Sequence, residues 1–238
     1  MTHIFYKLKV LLLKLLQINI TNMHPKLVRT DNDIHGAVKL WVNQFGGPIA
    51  IDIYGHIEDW DVTNVTNMKR LFKGCTSFNS NISNWNVSNV TNMEEMFAEA
   101  NRFNNDISKW DVSKVTNMRS MFSRAYDFNK NIGSWNVSNV TTMEPMFLYA
   151  MDFNKDIGSW NVSKVTNMGY MFHGAHAFNK DIGSWDVSNV YTMESMFYEA
   201  SYFNQNLDNW NISNIHHPYM FGYGYTDEED SDEDSDDD

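Results

Sequence analysis

The sequence predicts an α/β repeat solenoid, a stack of short parallel strands, turns and short helices with a period of 25 residues. Seven of the eight tryptophans keep that period without a shift: Trp60, Trp85, Trp110, Trp135, Trp160, Trp185 and Trp210. A fixed period of about 20–50 residues indicates an array of stacked units. Within each period an apolar alternation of two residues gives way to apolar steps of three and four. These spacings indicate a short strand followed by one face of a helix.

A single repeat shows both periodicities. In the copy at residues 82–106, Trp85 and Val87 alternate with polar neighbours, which is the pattern of a half-buried strand. The apolar residues that follow keep helical spacing; they are Val90, Met93, Met96, Phe97 and Ala100. Thr91 and Glu94 have the spacing of a helix-capping box. Each unit is therefore predicted to be a strand, a short helix and a turn, and stacking is predicted to bury its apolar columns.

The first 30 residues form a segment of their own. Residues 4–20 are mostly apolar, but Lys7, Lys9 and Lys14 interrupt them, so the uncharged runs are too short to span a membrane. Three interpretations stay open for residues 1–30: a helix that covers the end of the domain, an imperfect signal or anchor, and an amphipathic helix on a membrane surface. Membrane contact through residues 4–20 is therefore a possibility that the sequence leaves open.

The repeats are predicted to be closed at their start by a cap. Residues 31–56 precede the first repeat, and a helix is expected to begin at Asp31 or Asn32 and to end near the Gly-Gly-Pro at residues 46–48. Residues 57–225 are predicted to hold seven repeats, of which the last is degenerate and serves as a C-terminal cap.

Residues 226–238 are acidic and lack large apolar side chains. They hold ten of the thirty acidic residues in the chain, so the remaining residues carry a formal charge of only −2. Such a composition predicts a disordered tail, which serves either as a solubilising end or as an electrostatic arm for a basic partner. Because the rest of the chain has no basic excess, nucleic acid is not expected as a partner.

The sequence predicts no catalytic, cofactor-binding or metal-binding residues. No nucleophile motif, phosphate loop or separate pair of carboxylates stands apart from the repeat. Asp and Asn alternate freely in two columns, one and 21 residues after each tryptophan, which favours a hydrogen-bonding ladder over stacked calcium sites. His173 and His176 are interpreted as surface histidines. Cys75 occupies a column of alanines, so a buried thiol is expected.

The positions that vary between repeats are the candidates for recognition. Five tyrosines occupy such positions and are predicted to be partly exposed: Tyr126, Tyr149, Tyr170, Tyr198 and Tyr202. Tyrosines held on a rigid face are effective anchors for a binding partner. The alternative is that they only cover the layer beneath them.

The columns as a whole resemble the BspA-like leucine-rich repeats, in the 25-residue form known from mycoplasma lipoproteins and bacterial surface proteins. The matching string is Trp-(Asp/Asn)-Val-Ser-(Asn/Lys)-Val-Thr-Asn-Met-x-x-Met-Phe-x-x-Ala-x-x-Phe-Asn-x-(Asp/Asn)-Ile, as in residues 110–132. The resemblance covers about residues 34–215. It implies a leucine-rich-repeat-like solenoid used for surface display, adhesion and protein binding, with no catalytic residues.

Two classes of function follow as expectations. The first is a non-enzymatic scaffold that binds a protein or a glycan, with surface-displayed adhesion as one form of that role. The second is a structural component of an envelope, a cell surface or a virion, and a calcium-dependent binding module is a further alternative. The resemblance suggests a cell-surface or virion location, but the sequence shows neither a lipobox cysteine nor a clean signal peptide.

Overall fold

The computed structural model describes residues 28–43, 47–216 and 219–221. Their regular elements all precede or begin the first repeat: strand β1 (Val28–Thr30), helix α1 (Ile34–Trp41), helix α2 (Gly47–Tyr54), a 3-10 helix (Ile57–Asp59) and strand β2 (Asp61–Asn64). The two strands pair in parallel, with Val28 beside Asp61 and Thr30 beside Asn64 and an irregularity between the pairs. No helix within the described ranges is long and apolar enough to cross a membrane.

Two predicted segments, residues 4–20 and 226–238, lie outside the described residues. The segment boundary predicted after residue 30 is misplaced, because β1 at residues 28–30 already pairs with the first repeat. The cap therefore includes these three residues. It contains two short helices where the sequence predicted one, and the Gly47-Pro48 pair opens the second helix instead of closing the first. Proline suits this first turn because its missing N–H is not needed there.

Asp31 caps the stack and not a helix. Its Oδ1 accepts hydrogen bonds from the backbone N–H groups of Thr66 and Asn67 at 2.8 and 3.0 Å, and its Oδ2 accepts from the Thr66 hydroxyl at 2.6 Å. In the next repeat the Thr91 N–H donates to the Thr66 carbonyl instead. The Asp31 carboxylate thus takes the place of the carbonyl that a preceding repeat would supply.

Equivalent residues of successive repeats lie directly on one another. Each indole N–H from Trp85 onward donates to the carbonyl oxygen of the isoleucine 28 residues earlier, at 2.8–3.2 Å. Two columns of phenylalanine rings run beside the indoles, with neighbouring rings of a column about 5.4–6.0 Å apart and stacked. The tryptophan column therefore ties each repeat to the one before it, and the aromatic columns form the buried core.

The short helices predicted around the Met-Phe pairs are absent from the described repeats, which turn at this point. In five of the six repeats from Trp60 to Trp185, the positions ten and fourteen residues after the tryptophan both have left-handed backbone, for example Arg70 and Gly74 with φ of 60° and 71°; in the remaining repeat Pro145 occupies the first of these positions. A left-handed residue interrupts a right-handed helix. The N–H groups of residues 70, 72 and 74 instead donate to carbonyls of the next repeat. The Thr91–Glu94 pair consequently caps no helix.

The predicted strand positions also differ. Past the first repeat, the Trp-x-Val segments are irregular and lie between two turns, as the bonds from the Trp85 N–H to the Ile82 carbonyl and from the Val90 N–H to the Val87 carbonyl show. The indole N–H groups bond to the previous repeat. Parallel bridges instead link the residues seven places after the tryptophans: Asn67, Asn92, Asn117, Thr142, Asn167 and Thr192. The predicted strand is present in the first repeat only, as β2, among the described repeats, and the predicted helix is in none of them. The leucine-rich-repeat-like solenoid therefore stays a prediction.

Candidate functional site

Three of the five candidate tyrosines meet around one histidine. The rings of Tyr149, Tyr170 and Tyr198 lie with their centroids 5.2, 5.8 and 5.0 Å from that of His173. The Tyr149 hydroxyl is hydrogen-bonded to His173 Nε2 at 3.2 Å. We call these four residues the tyrosine–histidine cluster. It spans three consecutive repeats, and Tyr198 is its most exposed member at 36%.

The backbone of the repeat holds the cluster in place. Tyr149 and Tyr170 occupy the two left-handed positions, with φ of 53° and 57°. The Tyr149 N–H donates to the His173 carbonyl at 2.7 Å, and the Gly174 N–H donates to the Tyr198 carbonyl at 2.8 Å. These bonds run from one repeat to the next, so they fix the three rings against a common frame.

Gly174 makes room for the Tyr149 ring. It has a φ of +66°, and a Cβ built on it would lie 2.2 Å from Tyr149 Cδ1, far inside van der Waals contact. The equivalent residue is Glu99, Arg124, Tyr149 and Glu199 in four other repeats. Glycine at this position is thus the local change that allows Tyr149 to lie against the next repeat and reach His173.

Polar and charged groups surround the cluster. The Tyr170 hydroxyl donates to Glu194 Oε1 at 2.6 Å, and the Arg124 guanidinium lies 5.9 Å from the centre of the Tyr149 ring. Ser195 is fully buried, and among the described residues its hydroxyl has no hydrogen-bond partner; the same holds for His173 Nδ1. An unpaired buried polar atom costs about 1–3 kcal/mol, so neither atom contributes to the stability of the stack.

His173 is half-buried, and its prediction as an exposed surface histidine was wrong. Burial lowers the pKa of its imidazole below the ordinary value of 6.5, although the charge of Glu199 opposes that change. The reason for the error is local: the flanking repeats place Tyr149 and Tyr198 against the ring, and Tyr170 of the same repeat lies beside it. His176, three residues on, makes no ring contact with the cluster.

The lowered pKa of His173 gives a pH-dependent stability. Because the unfolded imidazole binds its proton more tightly, this stability is present above about pH 6.5 and is lost as pH falls through the folded pKa. We expect NMR titration of the His173 ring protons to give a midpoint below 6.5. We also expect His173→Gln to lose less stability than the wild type on acidification. A midpoint at or above 6.5 would contradict the burial of this ring.

Two candidate tyrosines lie outside the cluster. Tyr202 is 70% exposed and makes no ring contact with described residues, and its N–H donates to the His176 carbonyl. Tyr126 is half-buried, and its carbonyl accepts a hydrogen bond from the Asp152 N–H. The structure therefore separates the five predicted anchors into three that lie around His173 and two that lie elsewhere.

The variable charges of the first two repeats pair with each other. Lys69 lies 2.9 Å from Glu94, and Arg70 lies 2.6 Å from Glu95, which also pairs with Lys73. Burial of the Glu95 carboxyl works against its charged form, but the bonds from Arg70 and Lys73 prevail and lower its pKa. These pairs join adjacent repeats, so this part of the variable surface serves the stack.

The two Asp/Asn columns form turns within each repeat. In both columns a side-chain oxygen accepts the backbone N–H two residues later, as Asp111 does from Ser113 at 3.0 Å and Asp106 from Ser108 at 2.9 Å. The predicted ladder between repeats lies in another column, where the Asn79 Oδ1 accepts the Asn104 N–H. Among the described residues, no group of three or more metal-ligating side chains converges.

Cys75 is half-buried beside a cavity of about 370 Å³ next to Trp41. The thiol is less buried than predicted, because the first repeat has only the cap above it. Burial raises the pKa of the Cys75 thiol, which keeps it in the unreactive protonated form.

A groove that the sequence analysis missed runs along another face. It encloses about 740 Å³ and is lined by Asp106, Ser108, Asn129, Lys130, Asn131, Asn154, Lys155, Asp156 and Lys180. We call it the lysine groove. In the sequence, the three repeats that contain Lys130, Lys155 and Lys180 also have a glycine three residues after the lysine, at Gly133, Gly158 and Gly183. This signal is visible only when the lysine column and the glycine column are compared with each other.

The geometry defines a tandem-repeat protein whose surface varies at a few positions. The chain belongs to the family described as Mycoplasma protein of unknown function, DUF285, whose model matches residues 44–150 and again residues 127–232. Two overlapping matches are expected of tandem repeats. The match confirms that the repeats are of a mycoplasma type. It does not identify them as BspA-like leucine-rich repeats. No curated protein and no solved structure gives a significant match.

Proposed function

We propose that this protein is a non-enzymatic binding scaffold of the BspA-like, leucine-rich-repeat solenoid type, displayed at a surface, and that the tyrosine–histidine cluster binds a partner protein. The observation that carries the proposal is the convergence of Tyr149, Tyr170 and Tyr198 on His173. Tyrosine is enriched among the residues that dominate binding energy, particularly where several anchors lie together.

Preorganisation supports this role. Tyr149 and Tyr170 are held by hydrogen bonds of their backbone and of their hydroxyl groups, so little side-chain entropy remains to be lost on binding. His173 Nδ1 and the Ser195 hydroxyl have no hydrogen-bond partner among the described residues, which selection for stability alone would not favour.

Removing the exposed anchor tests the proposal. We expect Tyr198→Ala to reduce affinity for the partner by about 2 kcal/mol, which corresponds to roughly thirtyfold. Because Tyr198 is partly exposed, the same change is expected to alter the free energy of unfolding by less than about 1 kcal/mol. Quantitative affinity capture, with mass spectrometry against tagged wild type, measures the first quantity, and denaturant unfolding measures the second.

Tyr202→Ala is the matched control, because Tyr202 is more exposed and lies outside the cluster. Its capture profile is expected to equal that of the wild type. If Tyr198→Ala captures as much as the wild type, or if both variants lose the same partner equally, the cluster is not the binding surface.

A further inference from the structure

The lysine groove presents three ammonium groups without ionic partners. Among the described residues, Lys130, Lys155 and Lys180 form no ion pair and no hydrogen bond. Lys130 is near enough to Asp106 for its charge to contribute, as a minor cause, to lowering the pKa of that carboxyl. The two lysines in another column differ, since Lys114 and Lys164 donate to asparagine side chains at 2.7 and 2.8 Å. The groove lysines are therefore available to an anionic ligand.

Neighbouring positions in this column show what the lysines replace. Gln205 donates its side-chain amide to Asn179 Oδ1 at 2.6 Å, and Asn105 donates to Asn79. Where lysine stands instead, the asparagine Oδ1 still accepts a backbone N–H, as Asn129 does from Asn154. The Nδ2 groups of Asn129 and Asn154 consequently remain as donors beside the ammonium groups.

The spacing of the lysines matches an extended acidic peptide. Equivalent rings of neighbouring repeats lie 5.4–6.5 Å apart, and we expect the lysine column to repeat at a comparable interval. Alternate side chains of an extended chain recur about every 6.7 Å. Residues 227–238 of this chain carry ten carboxylates, so alternate positions along them supply acidic groups at nearly the interval of the lysines.

We propose that the lysine groove binds residues 227–238 of the same molecule through pairing of carboxylates with Lys130, Lys155 and Lys180. The distance is within reach. Ring contacts of 5.5, 4.0 and 5.9 Å lead from Phe221 through Phe197 and Phe203 to Phe178, and Lys180 follows two residues later. Eleven residues beyond position 221 extend to about 37 Å, more than this path requires.

The electrostatics limit the strength of this contact. The groove also holds Asp106 and Asp156, whose Oδ1 atoms accept backbone N–H groups of Ser108 and Gly158. Three lysines against two aspartates leave a small positive excess. Binding is therefore expected to be weak and to disappear at high salt, where the Debye length falls from about 10 Å at 0.1 M to about 3 Å at 1 M.

Carbodiimide coupling of the full chain tests the proposal, because it joins a lysine amine to a touching carboxylate with loss of water. We expect Lys130, Lys155 and Lys180 to couple to residues 227–238 about tenfold more than Lys114 and Lys164 do, since intramolecular docking raises the effective concentration. The excess should vanish in about 1 M salt. Equal coupling of all five lysines, or no coupling to residues 227–238, overturns the proposal.

A mixture of nitrogen-14 and nitrogen-15 chains distinguishes the source of the acidic segment. Products within one isotope support binding in the same molecule, and mixed products overturn it in favour of a second copy. As a second readout, K130Q/K155Q/K180Q is expected to speed cleavage after Glu228, Glu229 and Glu233 by a glutamate-specific protease. K114Q/K164Q is expected not to. Glutamine is compatible with the groove column, because Gln205 already occupies it. Equal cleavage in both variants contradicts docking.

Discussion

Phe147→Ala is expected to lower the free energy of unfolding by about 3–5 kcal/mol, the usual cost of truncating a buried aromatic ring. Phe147 is fully buried at the centre of the stack. Its ring lies 5.7 and 5.5 Å from the equivalent rings of the repeats before and after it, and 4.1 Å from Phe153. The neighbouring repeats are tied by backbone bonds, so they cannot collapse into the cavity. Urea unfolding followed by tryptophan fluorescence measures the loss.

Met151→Ala is the control for that substitution. Met151 lies four residues later in the same repeat but is 37% exposed, and we expect it to change stability by no more than about 0.5 kcal/mol. A loss below 1 kcal/mol for Phe147→Ala would show that the ring columns are not the principal source of stability.

Gly158→Ala is expected to destabilise by about 1–3 kcal/mol through overpacking. A Cβ at this position would lie 2.5 Å from the carbonyl oxygen of Asp181 in the next repeat. That atom belongs to the backbone, so relief requires two repeats to move apart. Ser83 and Ser108 occupy the same column in earlier repeats, so the close approach is particular to the repeats with glycine.

Gly36→Ala provides the opposite expectation on the same chain. Gly36 lies within α1, is exposed, and would place its Cβ in open space. Alanine is favoured over glycine in a helix by about 0.5–1 kcal/mol, so this variant is expected to be more stable than the wild type. If Gly158→Ala were neutral or stabilising as well, the two repeats would not approach as closely as described.

The period and the core could be predicted from the sequence, because a stacked column requires the same residue type in every copy. Trp135 and Phe147 are members of such columns and lie where their columns predict. The local conformation could not be predicted. Steps of three and four residues suit a helix, but they also suit turns with left-handed residues at positions 70 and 74. Backbone hydrogen bonds to the next repeat favour the turns over the helix. These bonds cannot be predicted from the sequence of a single repeat.

The candidate site was only partly predictable for a related reason. Tyr149, Tyr170 and Tyr198 stood out as departures from their columns, but they lie in three different columns, so sequence spacing alone did not show that they meet. His173 was misjudged because its burial depends on those three rings. The lysine groove could not be predicted from one column either. Lysine and glycine occur together in the same repeats, as Lys155 and Gly158 do, and only a comparison of the two columns shows this.

We propose that this protein binds its partner where the repeats differ, at the tyrosine–histidine cluster. The most direct test is a photo-crosslinking amino acid, benzoylphenylalanine, introduced at position 198 and, as a control, at position 191, where Tyr191 is similarly exposed on a different column. We predict one discrete partner adduct from position 198 in the cells that produce the protein, and none from position 191. Absence of an adduct at position 198, or equal adducts at both positions, would contradict the claim.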